Sequence, residues 1–226
     1  MTAPREENLI KGSTELNQMF LAVQTTGAGL RRDFGEVENL QQSLDGAADF
    51  VKKAAARIEE AILSELILIR PNAGILTHNY SRDGDGRDEF VLGLSGAENF
   101  TRGIGHFAIS LALRTNGETK IALIYSPIDD RLYYAEAGAG AFVFSAYHSI
   151  KINVSRRRTN TLTLGRDRIT GCTALDMAWI ASGKADAMRA DMLAFAEIAA
   201  GDLLVREAGG SVIDNGGELT ITNGLL

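Results

Sequence analysis

Few side chains in this chain combine reactive chemistry with a position from which to use it. The stretch Phe90–Phe107, FVLGLSGAENFTRGIGHF, begins apolar, breaks at Gly93 and Gly96, and carries a second glycine pair at 103 and 105. It reads as a buried strand, a glycine-permitted turn and a new strand. Strand ends of this kind are where layered α/β proteins place their chemistry. Here the turn offers only a hydroxyl, Ser95, and a carboxylate, Glu98. Ser95 lies in GLSG rather than in a GxSxG elbow, and no base is identified for it. Glu197 opens a later helical stretch, where a carboxylate also suits capping and the positive end of the helix dipole. Together with Glu98, Asp88 and Asp191 it makes the candidate residual acidic site; a solvated loop is the plainer reading of Asp88, Glu89 and Glu98.

Other groupings carry less. Asp83–Glu89, DGDGRDE, partly matches a calcium loop but lacks the fifth-position oxygen ligand, the sixth-position glycine and the twelfth-position glutamate. His78, His106 and His148 are far apart and form no i,i+4 pair or HExxH pattern, so a zinc site is not expected. Arg156, Arg157 and Arg158, with Lys151, Arg166 and Arg168, are the one basic concentration, a candidate contact for an anion or a partner. Met177 and Trp179 share helical spacing with Ala174 and Ala181, which is core packing.

The elements that must position these residues can be read from periodicity. Thr14–Phe34 is predicted helical with a stop at Gly35, and Asp49–Ile69 is a second helix ended by Arg70-Pro71. Ala73–Thr77 is a short strand, followed by a polar segment, His78–Glu89. His106–Arg114, Lys120–Tyr125, Arg131–Ala135 and Ala141–Phe144 form an antiparallel meander, with Asn116-Gly117 as a hairpin turn. Lys151–Arg168 is basic and polar. A helix follows Gly171 and ends at Gly183, Ala185–Met188 is a strand, and Glu197–Ala208 is a helix capped by Gly209-Gly210. Ser211–Ile213 and a last short strand close the chain. The class is α+β or layered α/β.

The chain has 226 residues, a net charge of −6 and one cysteine, Cys172. This is enough for a substantial core, excludes an internal disulfide and a cysteine-based zinc site, and argues against general nucleic-acid binding. No apolar run is long enough to span a bilayer and no apolar signal follows MTAPREENLIKG, so a reducing, cytoplasmic setting is expected.

Read together, LDGAADFVKKA (Leu44–Ala54), the Phe90–Phe107 turn with Asn99-Phe100, YSPIDDRLYYAEAGAGAF (Tyr125–Phe142), GCTALDMAWIASGKADA (Gly171–Ala187) and EIAAGDLLVREAGG (Glu197–Gly210) resemble the inositol monophosphatase family, within it the bacterial SuhB type. Order and spacing hold over nearly the whole chain. The resemblance implies a layered αβαβα sandwich formed from residues 1–226 as one domain, with an N-terminal half over 1–150 and a C-terminal half over 151–226. It implies a dimer, and Mg²⁺-dependent hydrolysis of small phosphate monoesters, in which hard Mg²⁺ ions need several carboxylate oxygens.

Matched position by position, the family's metal turn, DP(I/L)DGTTNF, falls on LGLSGAENF. Its two aspartates fall on Leu92 and Ser95, and its water-positioning threonine on Ala97. The glutamate pair falls on His78-Asn79 and the aspartate of the first-half helix on Ala55. The late aspartate becomes Glu197, and the upstream acidic substrate position is Ala190. Of the five metal positions, Ala55, His78, Leu92, Ser95 and Glu197, only the last supplies a carboxylate. The link Ser155–Thr170 is shorter than the family's, and the sequence stops at Leu226, before the closing strand and helix that the resemblance implies.

These departures lead to the expectation of a catalytically inactive member with no cofactor, metal site or catalytic residue, kept as a binding or assembly subunit for a protein partner or larger assembly. SuhB-type proteins set a precedent by binding RNA polymerase and Nus factors. Two other readings stand beside it. One is an Mg²⁺-dependent phosphatase for inositol or sugar phosphates with a rearranged site. The other is a sensor that binds a phosphorylated small molecule without hydrolysis.

Overall fold

The computed structural model describes residues 10–39, 44–191 and 195–226. Two long helices, α1 (Thr14–Asn39) and α2 (Leu44–Ile69), precede an eight-stranded sheet. Its strands are β1 (Gly74–Leu76), β2 (Ser81–Arg82), β3 (Asp88–Ser95), β4 (Ala108–Thr115), β5 (Glu118–Ser126), β6 (Arg131–Glu136), β7 (Gly140–Ser145) and β8 (His148–Ile152), in the order β2-β1-β3-β4-β5-β6-β7-β8. Only β1 and β3 run parallel; every other pairing is antiparallel, as the meander predicts. A short helix, α3 (Ala97–Thr101), separates β3 from β4. The second half adds β9 (Thr163–Leu164), α4 (Thr173–Ala181), β10 (Ala187–Asp191), α5 (Phe195–Glu207), β11 (Ser211–Asp214) and β12 (Glu218–Thr222). Its strands form a second sheet in the order β11-β12-β10-β9.

Side-chain alternation assigns the two faces of the large sheet. Phe90 and Leu92 of β3, Ile109, Leu111 and Leu113 of β4, Ile121, Leu123 and Tyr125 of β5, and Leu132 and Tyr134 of β6 face α1 and α2. The intervening positions include Ala108, Ala112, Ala122, Ala135 and Ala141, and they face α4 and α5. Large residues on one face thus fill the space under a helix pair, and small residues on the other let α5 come close. The layers run α1/α2, large sheet, α4/α5, small sheet, an α+β layered fold.

Close approach is sharpest at Gly93. A Cβ there would lie 2.6 Å from the Ala196 carbonyl oxygen. The strand therefore does not break at this glycine, as its sequence suggested; β3 runs through it and lends the first turn of α5 a bare backbone to rest on. Gly96 is different: with φ of 83° it takes the left-handed conformation that turns β3 into α3. The expected new strand after the turn begins only at Ala108.

Helix boundaries also move. α1 continues through Gly35 to Asn39, because buried Val37 anchors its last turn and Gly35 faces open space without a positive φ. α2 begins at Leu44 rather than Asp49, and buried Ala47 packs its first turn into the core. Within the basic segment 151–168, β9 pairs in parallel with β10. Asp186, buried at 0% exposure, organises that segment. It accepts hydrogen bonds from the Ser155 hydroxyl, from Arg157 Nε at 2.9 Å and from the Leu162 amide at 2.7 Å. Burial pushes its carboxyl upward, but these donors outweigh burial and hold it below the usual carboxylate range.

Two substitutions test this packing. Asp176 of α4 accepts a 2.6 Å bond from the Thr170 hydroxyl, yet burial pushes its carboxyl up to about 6, with the Thr170 bond and Arg168 countering. An unfolded aspartate titrates near about 3.9, so between roughly pH 4 and 6 the folded chain keeps a proton that the unfolded chain releases. Stability therefore falls as pH rises through that window, by roughly 2–3 kcal/mol in total. Asp176→Asn should match the parent at pH 4 and exceed it at pH 8 in denaturant titrations; parallel pH profiles would contradict this. Gly93→Ala should cost on the order of 1–3 kcal/mol by the same measurement, since α5 must move off the strand.

Candidate functional site

At the end of β3, between α2 and the start of α5, lies a cavity of about 230 Å³. Ala55, Ile58, Glu59 and Ile62 line it from α2, Leu92, Gly93 and Leu94 from β3, and Ile109 from β4; Ala97 comes from α3 and Ala196 and Glu197 from α5. His78 and Asn79 line it from the loop after β1. Five positions singled out in the sequence, Ala55, His78, Leu92, Ala97 and Glu197, thus converge on one cavity.

Ser95 stands behind the cavity, at 0% exposure. Its hydroxyl donates to Glu197 Oε2 at 2.5 Å and accepts the Ala174 amide at 3.1 Å, so one side chain ties β3 to both α4 and α5. The Ser110 hydroxyl of β4 donates to the Glu197 carbonyl at 3.1 Å. Glu197 is therefore held through its carboxylate and its backbone. Ser95 serves as an anchor, which fits the absence of an elbow motif around it.

Glu59 is the residue that sequence reading missed. It follows Ala55 by one helical turn on the same face of α2, and that i,i+4 spacing was the available signal. Its Oε1 accepts a 2.6 Å bond from the Thr77 hydroxyl, which fixes it against the end of β1. Leu92 is buried with the core under α1 and α2, where full burial contributes roughly 1.5–3 kcal/mol.

The rest of the candidate acidic site does not assemble. Asp88 lies at the far end of β3, roughly 20 Å from Ser95 at about 3.3 Å per residue. It pairs with Arg70 and accepts Thr115 Oγ1 at 2.7 Å, and these bonds hold its carboxyl below the usual range against the upward push of burial. Glu98 is exposed and pairs with Arg102 at 2.8 Å. The backbone of Asp191 lies in β10, but its side chain is outside the described residues. Ala190 is buried in the second sheet. The histidines do not meet either: His78 lines the cavity, His148 is exposed on β8, and His106 stacks edge-on against Trp179 at 5.1 Å. Burial lowers the His106 pKa, with Asp129 opposing and Arg168 adding to the shift. Arg157 is occupied by Asp186, while Arg156 and Arg158 are exposed, and none of the three lines the cavity.

The donor set decides which groups the cavity can hold. Among the described residues, no three histidine, cysteine, aspartate or glutamate side chains are grouped to hold a metal ion. The cavity has Glu59 and Glu197, each already engaged by a hydroxyl, and apolar Leu92 where a metal ligand was expected. Mg²⁺ takes near-octahedral oxygen coordination and dehydrates reluctantly, so these residues do not fit the family's metal cluster. Among the described residues no helix is long and apolar enough to cross a membrane.

Comparison with known proteins bears on what this cavity serves. Residues 13–166 and 152–226 match the inositol monophosphatase family. An inositol-1-monophosphatase of Rhizobium meliloti is 38% identical, covering 88% of this chain and 84% of that protein. A protein of Pasteurella multocida named Nus factor SuhB is 30% identical over 93% of this chain and 89% of its own. The crystal structure of the extragenic suppressor protein SuhB from Bartonella henselae superposes with a TM-score of 0.83 at 32% identity, covering 94% and 95% of the two chains. The layered fold expected from the sequence is thereby matched.

Two expectations are corrected by the same findings. The reading as a catalytically inactive binding subunit is overturned, because a relative at 38% identity across most of the chain is named for a phosphatase activity. The expectation of no cofactor is overturned with it, since Mg²⁺ is what the family resemblance implies. Both gave the missing carboxylates at Ala55, His78, Leu92 and Ser95 more weight than the family resemblance along the chain, and that count missed Glu59. With the fold, the ordered segments and the cavity in agreement, the chain belongs to the inositol monophosphatase family.

Proposed function

We propose that the protein hydrolyses phosphate monoesters of inositol or a related sugar at the cavity between α2 and α5, through a rearranged centre. The observation that carries this reading is the 38% identity to a named inositol-1-monophosphatase, together with the convergence of Ala55, His78, Leu92, Ala97 and Glu197 on that cavity. The departures at Ala55, His78, Leu92 and Ser95 from the family's acidic pattern are part of the proposal. The lone cysteine, Cys172, is buried, which suits the reducing cytoplasmic setting included here.

The residues present divide the work as follows. Glu197, fixed through Ser95, uses its second carboxylate oxygen to orient a water and accept its proton. His78, at the cavity edge, supplies a proton to the departing alkoxide. The apolar walls from Ile58, Ile62, Leu92 and Ile109 limit bulk water around Glu197 and strengthen its electrostatics, while His78 stands at the exposed rim. A protein partner also belongs to this proposal, supported by the relative named Nus factor SuhB, with exposed Arg156 and Arg158 as its basic contact.

The test is a phosphate-release assay on the full chain with inositol 1-phosphate and a generic aryl phosphate, run with Mg²⁺, with Mn²⁺ and with chelator. Turnover above background in Mg²⁺, reduced to background by Glu197→Gln, is expected; no release from either ester with either metal contradicts the reading. Ser95→Ala should lower kcat by roughly ten- to a hundredfold with a smaller change in KM, in line with loss of one charge-assisted bond of about 1.5–3 kcal/mol.

A further inference from the structure

The large sheet ends on β8, and that end is open. β8 lies last in the strand order, and among the described residues it pairs only with β7. The other edge strands, β2, β9 and β11, have two, two and four residues, whereas β8 has five. The β7–β8 hairpin turns on Ala146 and Tyr147 and closes on the Ser145–His148 pair. A two-residue loop closes on a hydrogen-bonded pair, and such pairs alternate along an antiparallel ladder. The amides and carbonyls of Ser149 and Lys151 therefore point away from β7, into the open edge.

The side chains along this edge are those of a contact surface. Ala146 and Tyr147 hold φ of 49° and 67°, the left-handed conformation that glycine or asparagine usually supplies in such a turn. Burial within the chain does not offset that strain, since Tyr147 is 74% exposed. Ile150, opposite Val143 on the α4/α5 face, is 63% exposed. Lys151 faces the other side of the sheet, opposite Phe142. Lys151, Arg156 and Arg158 are exposed and pair with no carboxylate among the described residues, while Arg157 is taken by Asp186.

Unpaired edge groups template a further strand, and the charges beside them select which one. A second copy of this chain would bring another Lys151, Arg156 and Arg158 to the same edge, and like charges across a pairing destabilise it. A strand carrying carboxylates meets the same cations favourably. We infer that β8 takes up an extended acidic segment of a partner protein as a further strand of the large sheet. Its backbone bonds to Ser149 and Lys151, its apolar side chains cover Ile150, and its carboxylates lie on the Lys151 face. Because successive side chains alternate between faces, the segment alternates carboxylate and apolar residues. In extending the acidic contact to Arg156 and Arg158, this inference rests on the partner reading already given to those two residues.

The experiment is an NMR titration of the isotope-labelled full chain with the capped heptapeptide Glu-Val-Glu-Val-Glu-Val-Glu. Its controls are the peptide with lysine in place of glutamate, and a heptauridylate. Saturable binding of the acidic peptide is expected, with hydrogen exchange at the Ser149 and Lys151 amides slowed roughly tenfold or more. The lysine peptide should bind roughly tenfold weaker or not at all, and Lys151→Glu should weaken the acidic peptide by a similar factor. The amide spectrum of that variant establishes that it is folded. No binding of the acidic peptide, unchanged exchange at both amides under saturation, equal binding of the lysine peptide or preference for the heptauridylate would overturn the inference. So would slowing of the same amides by the chain's own concentration without peptide, which would mean that a second copy occupies the edge. Two further outcomes separate this inference from the partner reading. Binding that needs Arg156 and Arg158 but leaves the β8 amides unprotected sinks only the added strand. Protected β8 amides with unchanged affinity in Arg156→Gln and Arg158→Gln sink only the arginine contact.

Discussion

The geometry of this protein's site depends on one buried hydroxyl. Ser95 closes β3, donates to the Glu197 carboxylate and accepts the Ala174 amide, so a strand and two helices meet at a single oxygen. The contact exists because Gly93, two residues earlier on the same face of the sheet, has no side chain to keep α5 away. It persists because a buried polar group whose partner is removed forfeits about 1–3 kcal/mol. The Ser110 hydroxyl completes the grip from the neighbouring strand. Glycine and two small hydroxyls thus do by close approach what a longer side chain would prevent.

The two faces of the large sheet carry the same logic outward. Aromatic and branched side chains under α1 and α2 make a thick core that Leu92 joins. Alanines under α4 and α5 make a thin one, and Gly201 sustains it on the helix side, where a Cβ would strike Met177 Sδ at 2.4 Å. The cavity lies where the two packing regimes meet, at the end of β3. Its walls are aliphatic because Ile58, Ile62, Leu92 and Ile109 are also lining residues of the thick core's edge. Its two carboxylates are Glu59 and Glu197, with His78 at the rim, and both carboxylates are oriented by hydroxyls at or just beyond strand ends.

Much of this was legible in the sequence, and the failures share a physical cause. The meander followed from period-two alternation and the Asn116-Gly117 turn, and the helices from their apolar stripes, because those patterns are local. Glycine was misread where tertiary contact decides its role: Gly35 as a stop and Gly93 as a break, although one sits inside α1 and the other inside β3. Ser95 and Glu197 were both noticed, but 102 residues separate them and nothing local announced their bond. Counting carboxylates at inherited positions left out Glu59, one turn from Ala55, and gave too strong a case for an inert scaffold. The segment 151–168 read only as basic and polar because the residue that orders it, Asp186, lies beyond it in the chain.

The central claim is that Ser95 and Glu197 act as one unit that sets the site. A double-mutant cycle measures it most directly, using denaturant stabilities of the parent, Ser95→Ala, Glu197→Ala and the double variant. The account predicts a coupling energy of about 1–3 kcal/mol, the range for residues that share a buried hydrogen bond. Additivity within about 0.5 kcal/mol would mean that the two side chains are independent, and would contradict it.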